Sequence, residues 1–242
     1  MTRLDQLLVQ RGDFTSRERA RRMIMAGKIR VDGQVVDKPG AAIGADAELE
    51  VLAPAEPYVS RGGRKLEHAL DHFGVDVVGL VCLDAGASTG GFTDCLLQRG
   101  ASRVYAVDVG YGQLDYRLRQ DERVVVMERL NARYLEPGDL PESVDLATFD
   151  LSFISLVKVV PVVADLVKPG GSLITLIKPQ FEVGRGRVGK GGVVRDETMR
   201  REVIAQRIAQ LVDSGLRSAG WVDSPITGAR GNLEALALFE KP

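Results

Sequence analysis

The stretch Val81-Cys-Leu-Asp-Ala-Gly-Ala-Ser-Thr-Gly-Gly-Phe-Thr-Asp94 decides the fold that we expect for this 242-residue chain. Its first four residues read as a buried strand, and a helix is predicted over 92–98. The glycines between them permit a tight turn and a close approach of a ligand to the backbone. The spacing departs from G-x-G-x-x-G, which argues against a nicotinamide dehydrogenase, and a glycine-rich connector is the alternative interpretation.

Strands and helices alternate on both sides of this stretch. Further helices are predicted over 63–73 and 197–214. The predicted strands cover 81–84, 103–108, 124–128, 144–150, 172–178, 216–222 and 233–240. Because strands separated by helical segments form doubly wound sheets, we expect an α/β domain from residue 58 onward.

The amino-terminal part of the chain follows a different pattern, with short helices and a hairpin. Thr15 followed by Glu18 reads as a capping box at the start of a second helix. Asp32-Gly33 between two short apolar runs predicts a hairpin turn. We therefore expect a small domain over 1–52, joined to the α/β domain by a Pro-rich linker over 53–57.

Charge is segregated along the chain, although the whole is nearly neutral, with 32 Lys and Arg against 33 Asp and Glu. Residues 1–30 carry a net charge of +5, residues 31–56 carry −5 and residues 178–201 carry +4. The overall balance therefore excludes a uniformly basic protein, but it leaves room for local RNA-binding surfaces.

Several classes of protein are disfavoured. The sequence has no apolar run near the roughly 18 residues that a membrane span needs, and its polar start shows no signal peptide. Cys82 and Cys95 form no C-x-x-C pair, so neither a disulfide scaffold nor a metal site is predicted. We expect a cytoplasmic protein.

An acid at the end of the second strand of the α/β domain indicates a cofactor. Asp108 follows Asp84 by 24 residues, at a place where a carboxylate can accept hydrogen bonds from the two hydroxyls of a ribose. Together with the glycine-rich turn, Asp108 predicts an adenosine-type cofactor at the carboxyl ends of the strands.

Four scattered charged residues form the second candidate site, namely Lys65, Asp150, Lys178 and Glu234. Asp150 and Lys178 each end an apolar strand, so both should emerge at the ligand edge of the sheet. A partly desolvated lysine beside carboxylates can act as a base or as an electrostatic clamp. Taken singly, each residue could equally be a solvated charge at the end of a strand.

The loop after Lys178 is rich in glycine and in basic residues, among them Arg185, Arg187 and Lys190. Such a loop beside an active edge suits a phosphate backbone, and a solvated loop is the alternative.

The chain as a whole resembles the TlyA family of ribosomal RNA methyltransferases, which have historically also been labelled hemolysins. The string Arg3-Leu-Asp…Arg11-Gly…Ser16-Arg17…Gly27-Lys-Ile-Arg-Val-Asp-Gly33 is similar to a small RNA-binding module found in a ribosomal protein. Residues 58–242 resemble the FtsJ-type methyltransferase domain. The matching strings are Tyr58-Val-Ser-Arg-Gly-Gly63, residues 84–94, Val107-Asp-Val-Gly-Tyr-Gly-Gln113, Asp150-Leu-Ser-Phe-Ile-Ser-Leu156, Lys178-Pro-Gln-Phe-Glu182 and Gly231-Asn-Leu-Glu234.

The resemblance implies a Rossmann-like class I methyltransferase with a seven-stranded sheet, a small N-terminal α+β RNA-binding domain and S-adenosylmethionine as cofactor. It places a Lys-Asp-Lys-Glu catalytic tetrad on Lys65, Asp150, Lys178 and Glu234. The residues that it assigns to the cofactor are Asp84, Gly86, Ser88, Gly90, Gly91, Asp108 and Asn131. The predicted RNA contacts are Arg3, Arg17, Arg21, Arg22, Lys28, Arg185, Arg187 and Lys190.

The reaction that the resemblance implies is methylation of a ribose 2′-hydroxyl, that of a cytidine in ribosomal RNA. The chain begins at the RNA-binding module and stops just after the last predicted strand, and this short form favours large-subunit RNA as the substrate. Two other functions stay open. One is a membrane-active hemolysin, for which no sequence feature speaks, and the other is an RNA-binding assembly factor without catalysis. The oligomeric state is left open.

Overall fold

A computed structural model describes residues 1–44, 46–52, 56–184, 188–189 and 191–242. The chain divides into two compact units, the small unit Met1–Glu56 and the large unit Pro57–Pro242. The predicted basic contacts Arg185, Arg187 and Lys190, and part of the predicted linker, lie outside the described residues.

The small unit contains two helices and two small sheets. Its elements are β1 (Thr2–Arg3), α1 (Leu4–Gln10), α2 (Arg17–Met25), β2 (Ile29–Val31), β3 (Gln34–Val35), β4 (Ala42–Ile43) and β5 (Leu49–Val51). Strand β2 pairs with both β3 and β5, and β1 pairs with β4. The predicted hairpin turn is confirmed, with Asp32 and Gly33 at φ of 49° and 78° and Val31 opposite Gln34. Leu4, Leu8, Ile24 and Ile29 are fully buried between these elements.

The predicted cap of the second helix is wrong by one residue. Ser16, not Thr15, is the N-cap, and its hydroxyl accepts a hydrogen bond from the backbone N–H of Arg19 at 3.2 Å. The chain is extended at Ser16, so the helix begins only at Arg17. The capped N–H belongs to Arg19, which lies four residues after Thr15 and so beyond the two or three residues that a cap spans.

The large unit carries a seven-stranded sheet with helices on both faces, which confirms the predicted α/β class. Its elements are α3 (Gly62–Phe73), β6 (Val81–Ala85), α4 (Gly91–Gln98), β7 (Arg103–Asp108), α5 (Tyr116–Arg119), β8 (Val124–Glu128), β9 (Val144–Phe149), α6 (Val160–Ala164), β10 (Val167–Ile177), α7 (Pro179–Glu182), α8 (Glu197–Asp213), β11 (Arg217–Asp223) and β12 (Ala235–Glu240). The strand order is β11-β12-β10-β9-β6-β7-β8. Strands β6 to β10 run parallel, whereas β12 is antiparallel to both β10 and β11.

Two apolar clusters cover the two faces of this sheet. One contains Val160 and Ile204, from α6 and α8, and the other contains Leu66 and Leu96, from α3 and α4. The helices that the structure describes are all too short or too polar to cross a bilayer.

Strand β10 begins five residues earlier than predicted. Its first residue, Val167, pairs with Val144, and regular pairing resumes only at Ser172, which lies opposite Leu146. The irregular segment between them contains Pro169 and two glycines, which look like a turn in the sequence. The site depends on the other end of β10, where the prediction agrees to within one residue.

Candidate active site

Asp84 stabilises the glycine-rich turn between β6 and α4 through buried hydrogen bonds. Asp84 is fully buried, and its Oδ2 accepts hydrogen bonds from the backbone N–H and the hydroxyl of Thr93, at 3.0 and 2.7 Å. Thr148 donates to Oδ1 at 3.2 Å. Burial raises the pKa of Asp84 to about 7, and the nearby Asp150 charge also raises it, although the threonine bonds oppose the shift. The carboxylate therefore shapes the turn from within the protein.

Gly86 shows why the turn needs glycine. Its φ is +87°, a conformation that side chains disfavour, and a Cβ there would lie 2.7 Å from the backbone oxygen of Asp150. Gly90 and Gly91 also lie in tight surroundings, where a Cβ would overlap Leu118 and Ser60 respectively. All three positions therefore leave no space for a side chain.

The turn is connected to the end of β7 through Asp108. The Asp108 Oδ2 accepts from the backbone N–H of Ser88 at 2.8 Å, and Oδ1 accepts from that of Gly110 at 2.7 Å. These two bonds hold the carboxylate in place at the carboxyl edge of the sheet. Each oxygen keeps acceptor capacity for a further donor, because a carboxylate oxygen offers more than one lone pair.

A cavity of about 820 Å³ opens at this edge, and we call it the cofactor cavity. Four of the predicted cofactor residues, Gly86, Ser88, Asp108 and Asn131, line it. The Asn131 carboxamide oxygen caps the following helical turn by accepting from the backbone N–H of Arg133 at 3.0 Å.

A smaller adjoining cavity of about 230 Å³ is lined by Gly91, and it shares Gly86 and Ser88 with the cofactor cavity. Ser60, Arg61 and Gly62 form its other side, and their segment leads into α3. Sequence reasoning did not predict that residues 60–62 line the site, although they lie in the string Tyr58-Val-Ser-Arg-Gly-Gly63 that resembles the family.

The four predicted tetrad residues all line one further cavity of about 510 Å³, which we call the tetrad cavity. They form two ion pairs. Lys65 Nζ lies 2.5 Å from Glu234 Oε2, and Lys178 Nζ lies 2.6 Å from Asp150 Oδ1. Lys65 and Glu234 are buried, and only 11% of the Lys178 side chain is exposed. In such surroundings charge–charge interactions are weakly screened, so each pair holds its geometry.

Two uncharged polar side chains extend these pairs. Lys178 also donates to the hydroxyl of Ser152 at 2.9 Å, and the Gln180 amide donates to Glu234 Oε1 at 3.2 Å. Both belong to the strings that contain Asp150 and Lys178, yet sequence reasoning gave them no role. Nothing in their residue type distinguishes them from ordinary loop residues before the strands are placed side by side.

The cofactor cavity and the tetrad cavity share a wall made of Asp150, Ser152, Phe153 and Phe181. Phe153 is 90% exposed and has a φ of +65°, which is rare for a bulky residue. Its ring centroid lies 4.8 Å from that of Phe181, and Lys178 Nζ lies 5.9 Å from the centre of the Phe181 ring. Two aromatic rings thus stand where the cavities meet, and sequence reasoning missed both.

The predicted RNA contacts of the small unit lie on its surface. Arg3 and Arg17 both bond to the buried carboxylate of Asp5, Arg3 through two bonds of 3.1 and 3.0 Å and Arg17 at 3.2 Å. Arg17, Arg21 and Arg22 line one shallow surface depression on α2. Lys28 is exposed but does not line that depression.

Comparisons of the sequence with known proteins identify the family to which the two units are similar. Residues 58–241 match the family described as FtsJ-like methyltransferase, and residues 2–49 match the S4 domain. A Bacillus subtilis (strain 168) protein provisionally named rRNA methyltransferase YqxC is 51% identical, over 99% of this chain and 86% of its own. A Mycobacterium tuberculosis protein named 16S/23S rRNA (cytidine-2'-O)-methyltransferase TlyA is 48% identical, over 96% of this chain and 87% of its own.

Solved structures agree on the fold. A structure from Streptococcus thermophilus, provisionally described as a hemolysin, has a TM-score of 0.78 and 45% identity, and covers 99% of this chain and 88% of its own. A Listeria monocytogenes structure described as an S-adenosylmethionine-dependent methyltransferase has a TM-score of 0.57 at 16% identity, over 76% of this chain and 100% of its own. That likeness shows the fold of class I methyltransferases for the large unit.

Proposed function

This chain belongs to the TlyA family of FtsJ-like methyltransferases, and we propose from that membership that it methylates a ribose 2′-hydroxyl of ribosomal RNA with S-adenosylmethionine. The observation that supports the proposal best is the wall shared by the cofactor cavity and the tetrad cavity. A methyl donor in one cavity and a ribose in the other would meet beside Asp150 and Lys178. We also propose an RNA-docking domain over 1–52, a linker over 53–57 and a catalytic domain over 58–242.

The residues of the cofactor cavity fit S-adenosylmethionine. The turn at Gly86 presents bare backbone, which allows the close approach that a cofactor needs, and Asp108 offers a carboxylate to a ribose diol. We propose that Gly86, Ser88, Gly91 and Asp108 hold the cofactor and that Asn131 lies near its adenine. Asp84 and Gly90 would support the turn from behind. When bound, S-adenosylmethionine supplies a methyl group on a sulfonium centre, which is a good leaving group.

In the tetrad cavity, Lys178 would hold the 2′-oxygen of the substrate. Its ammonium group already bonds to Asp150 and Ser152, so its position is defined before substrate arrives. From there the ammonium group would orient the hydroxyl toward the cofactor cavity. To act as the base, Lys178 would first release a proton to water, and the neutral amine would then take the hydroxyl proton at Nζ as the oxygen attacks. Asp150, 2.6 Å away, would stabilise the positive charge of Lys178 whenever the amine is protonated.

The second ion pair would serve as the fixed side of the substrate pocket. Lys65 and Glu234 are buried and linked to Gln180, so they present hydrogen-bonding groups at set positions. Preorganised groups of this kind stabilise developing charge without rearranging during the reaction. Phe153, exposed at the mouth of the cavity, offers a ring on which the target base can stack.

RNA docking would come from the small unit. We propose that Arg3, Arg17, Arg21, Arg22 and Lys28 contact phosphates of folded RNA. Arg17, Arg21 and Arg22 share one surface depression, and arginine forks match the geometry of phosphate oxygens. Contacts from Arg185, Arg187 and Lys190, which follow α7 in the sequence, stay a proposal from the sequence.

The experiment that tests this function is mapping of 2′-O-methyl groups in ribosomal RNA from cells with and without the protein. We expect at least one cytidine, in large-subunit RNA, to lose its methyl group without the protein. The purified protein and S-adenosylmethionine should restore it on ribosomal RNA or subunits. If no site in either subunit depends on the protein, the proposed function is wrong.

A further inference from the structure

We propose that Glu182 is a positioning residue for methyl transfer, acting with Arg207 as a buried brace behind the two cavities. The inference rests on the proposed function. It concerns the two segments that follow the neighbouring parallel strands β9 and β10 and carry Asp150 and Lys178. We call them the two loops, and the second contains the short helix α7.

Glu182 is 4% exposed, and its carboxylate accepts hydrogen bonds from two other parts of the chain. Its Oε2 accepts from the hydroxyl of Ser155 at 2.6 Å and from Arg207 Nε at 2.6 Å, and its Oε1 accepts from the backbone N–H of Leu156 at 2.8 Å. Arg207 also donates from Nη2 to the backbone oxygen of Glu182 at 2.7 Å. Arg207, which belongs to α8, thus donates hydrogen bonds to both the side chain and the main chain of Glu182.

These bonds join the two loops at their far ends. At the near ends Asp150 pairs with Lys178, and at the far ends Ser155 and Leu156 bond to Glu182. Phe153 and Phe181 touch in between, so the loops are joined at three successive points. Moving Glu182 would therefore move the aromatic wall and the ion pair together.

Glu182 and Arg207 themselves line neither cavity. They have no access to the reacting atoms, so any effect on the reaction must pass through the loops that they hold. A buried ion pair contributes little net stability compared with apolar residues of similar size, because the charges lose their hydration. Val183, the residue after Glu182, belongs to a small buried cluster with Val194 and Val203, so an apolar environment begins directly beside the ion pair. The brace is better explained by the geometry that it imposes on the loops.

The same helix supplies a matched control. Arg200 is also a buried arginine of α8, with 3% of its side chain exposed, and it pairs with Glu197 and Asp223. Those partners tie α8 to itself and to β11, and neither lines the cofactor or the tetrad cavity. Removing Arg200 therefore breaks the ion pairs of a buried arginine on the same helix without loosening the loops, and its carboxylate partners differ from Glu182 in being half-exposed.

The test is the single-turnover rate of methyl transfer to ribosomal RNA, at saturating RNA and S-adenosylmethionine, for the full-length chain. For Glu182→Gln and Arg207→Met we expect rates about 10- to 100-fold below wild type, because small misplacements of reacting groups have effects of that order. RNA affinity should fall far less than the rate, because the contacts predicted in the small unit, Arg3, Arg17, Arg21, Arg22 and Lys28, take no part in these bonds. Arg200→Met should stay within about twofold in rate although its melting temperature falls.

Arg207→Lys is included in case the other variants fold poorly. A lysine can pair with the Glu182 carboxylate but cannot also reach its backbone oxygen in a fork, so an intermediate rate is expected. Wild-type rates in both Glu182→Gln and Arg207→Lys would overturn the inference. An equal loss of methyl-transfer rate in Arg200→Met and Arg207→Met would also overturn it, because the Glu182–Arg207 pair would then matter only for the stability of the protein. A wild-type protein that transfers no methyl group would instead refute the proposed function.

Discussion

Lys178 Nζ lies 2.6 Å from Asp150 Oδ1, at the carboxyl ends of two neighbouring parallel strands. Asp150 belongs to the wall common to both cavities and Lys178 lines the tetrad cavity beside it, so a bound ribose and a bound methyl donor would meet next to this pair. The same two strands carry a second pair at their other ends, where Lys168 Nζ lies 2.6 Å from Asp145 Oδ1. The two pairs differ in surroundings, since the Lys168 side chain is 48% exposed and that of Lys178 only 11%.

Lys178→Ala should therefore lower the methyl-transfer rate by about 100- to 10,000-fold, the range typical for loss of a general acid or base. S-adenosylmethionine affinity should be nearly unchanged, because Lys178 does not line the cofactor cavity. Lys168→Ala removes the equivalent pair at the opposite ends and should leave the rate close to wild type. Single-turnover assays and calorimetry measure both quantities. Unchanged methylation by Lys178→Ala would refute the catalytic assignment.

Gly86→Ala should weaken S-adenosylmethionine binding by about tenfold or more, which corresponds to roughly 1.4 kcal/mol. The added Cβ would lie 2.7 Å from the backbone oxygen of Asp150, so the turn or the strand end must shift. Gly79→Ala is the control, because Gly79 also has a positive φ, +75°, but has open space around it. Both variants should lose about 1–3 kcal/mol of stability from backbone strain. Equal cofactor affinity in the two would mean that the turn does not bind the cofactor.

Parts of this architecture can be predicted from sequence because local patterns decide them. The strands 103–108 and 124–128 are apolar runs that end at turn signals, and they match β7 and β8 to the residue. The position of Glu234 cannot be derived in this way. It becomes a neighbour of Lys65 because β12 inserts antiparallel beside β10, with Ala235 opposite Ile177, and that long-range pairing has no local signature. The left-handed conformation of Phe153 is likewise unexpected for its residue type.

Asp84→Asn should flatten the dependence of stability on pH. Burial raises the pKa of Asp84 to about 7, from 3.8 in the unfolded chain. Between these values the folded protein holds one proton more than the unfolded protein, so the free energy of unfolding falls as pH rises through this window and levels off above it. Urea unfolding at pH 5, 6, 7 and 8 should show a shallower decline for Asp84→Asn. An identical decline in the two proteins would contradict this assignment.

The same variant probes how Asp84 relates to the cofactor. An asparagine can still accept from Thr93 and can donate to Thr148, so the turn should keep its shape. If Asp84 acts only by shaping the turn, S-adenosylmethionine affinity should change by less than about fivefold. A much larger loss in calorimetry would place the carboxylate in direct contact with the cofactor.

Asp5→Asn should weaken RNA binding although it removes a negative charge. Hydrogen bonds from Arg3, with further bonds and charge from Arg17, lower the pKa of Asp5 to about 2 against the opposing effect of burial, so it is ionised at neutral pH. Its carboxylate holds both guanidinium groups at the surface of the small unit. Without it the arginines keep their charge but must be ordered by the RNA itself, which costs side-chain entropy. We expect a several-fold lower affinity with an unchanged dependence on salt, whereas Arg17→Gln should reduce the slope of log K against log salt by about 1.

Asp13→Asn makes the same change in net charge and releases Arg11, which is not a predicted contact, so it controls for electrostatics alone. Filter binding to ribosomal RNA over a range of salt concentrations measures all three variants. Tighter binding by Asp5→Asn would show that Asp5 competes with phosphate for the arginines rather than orienting them.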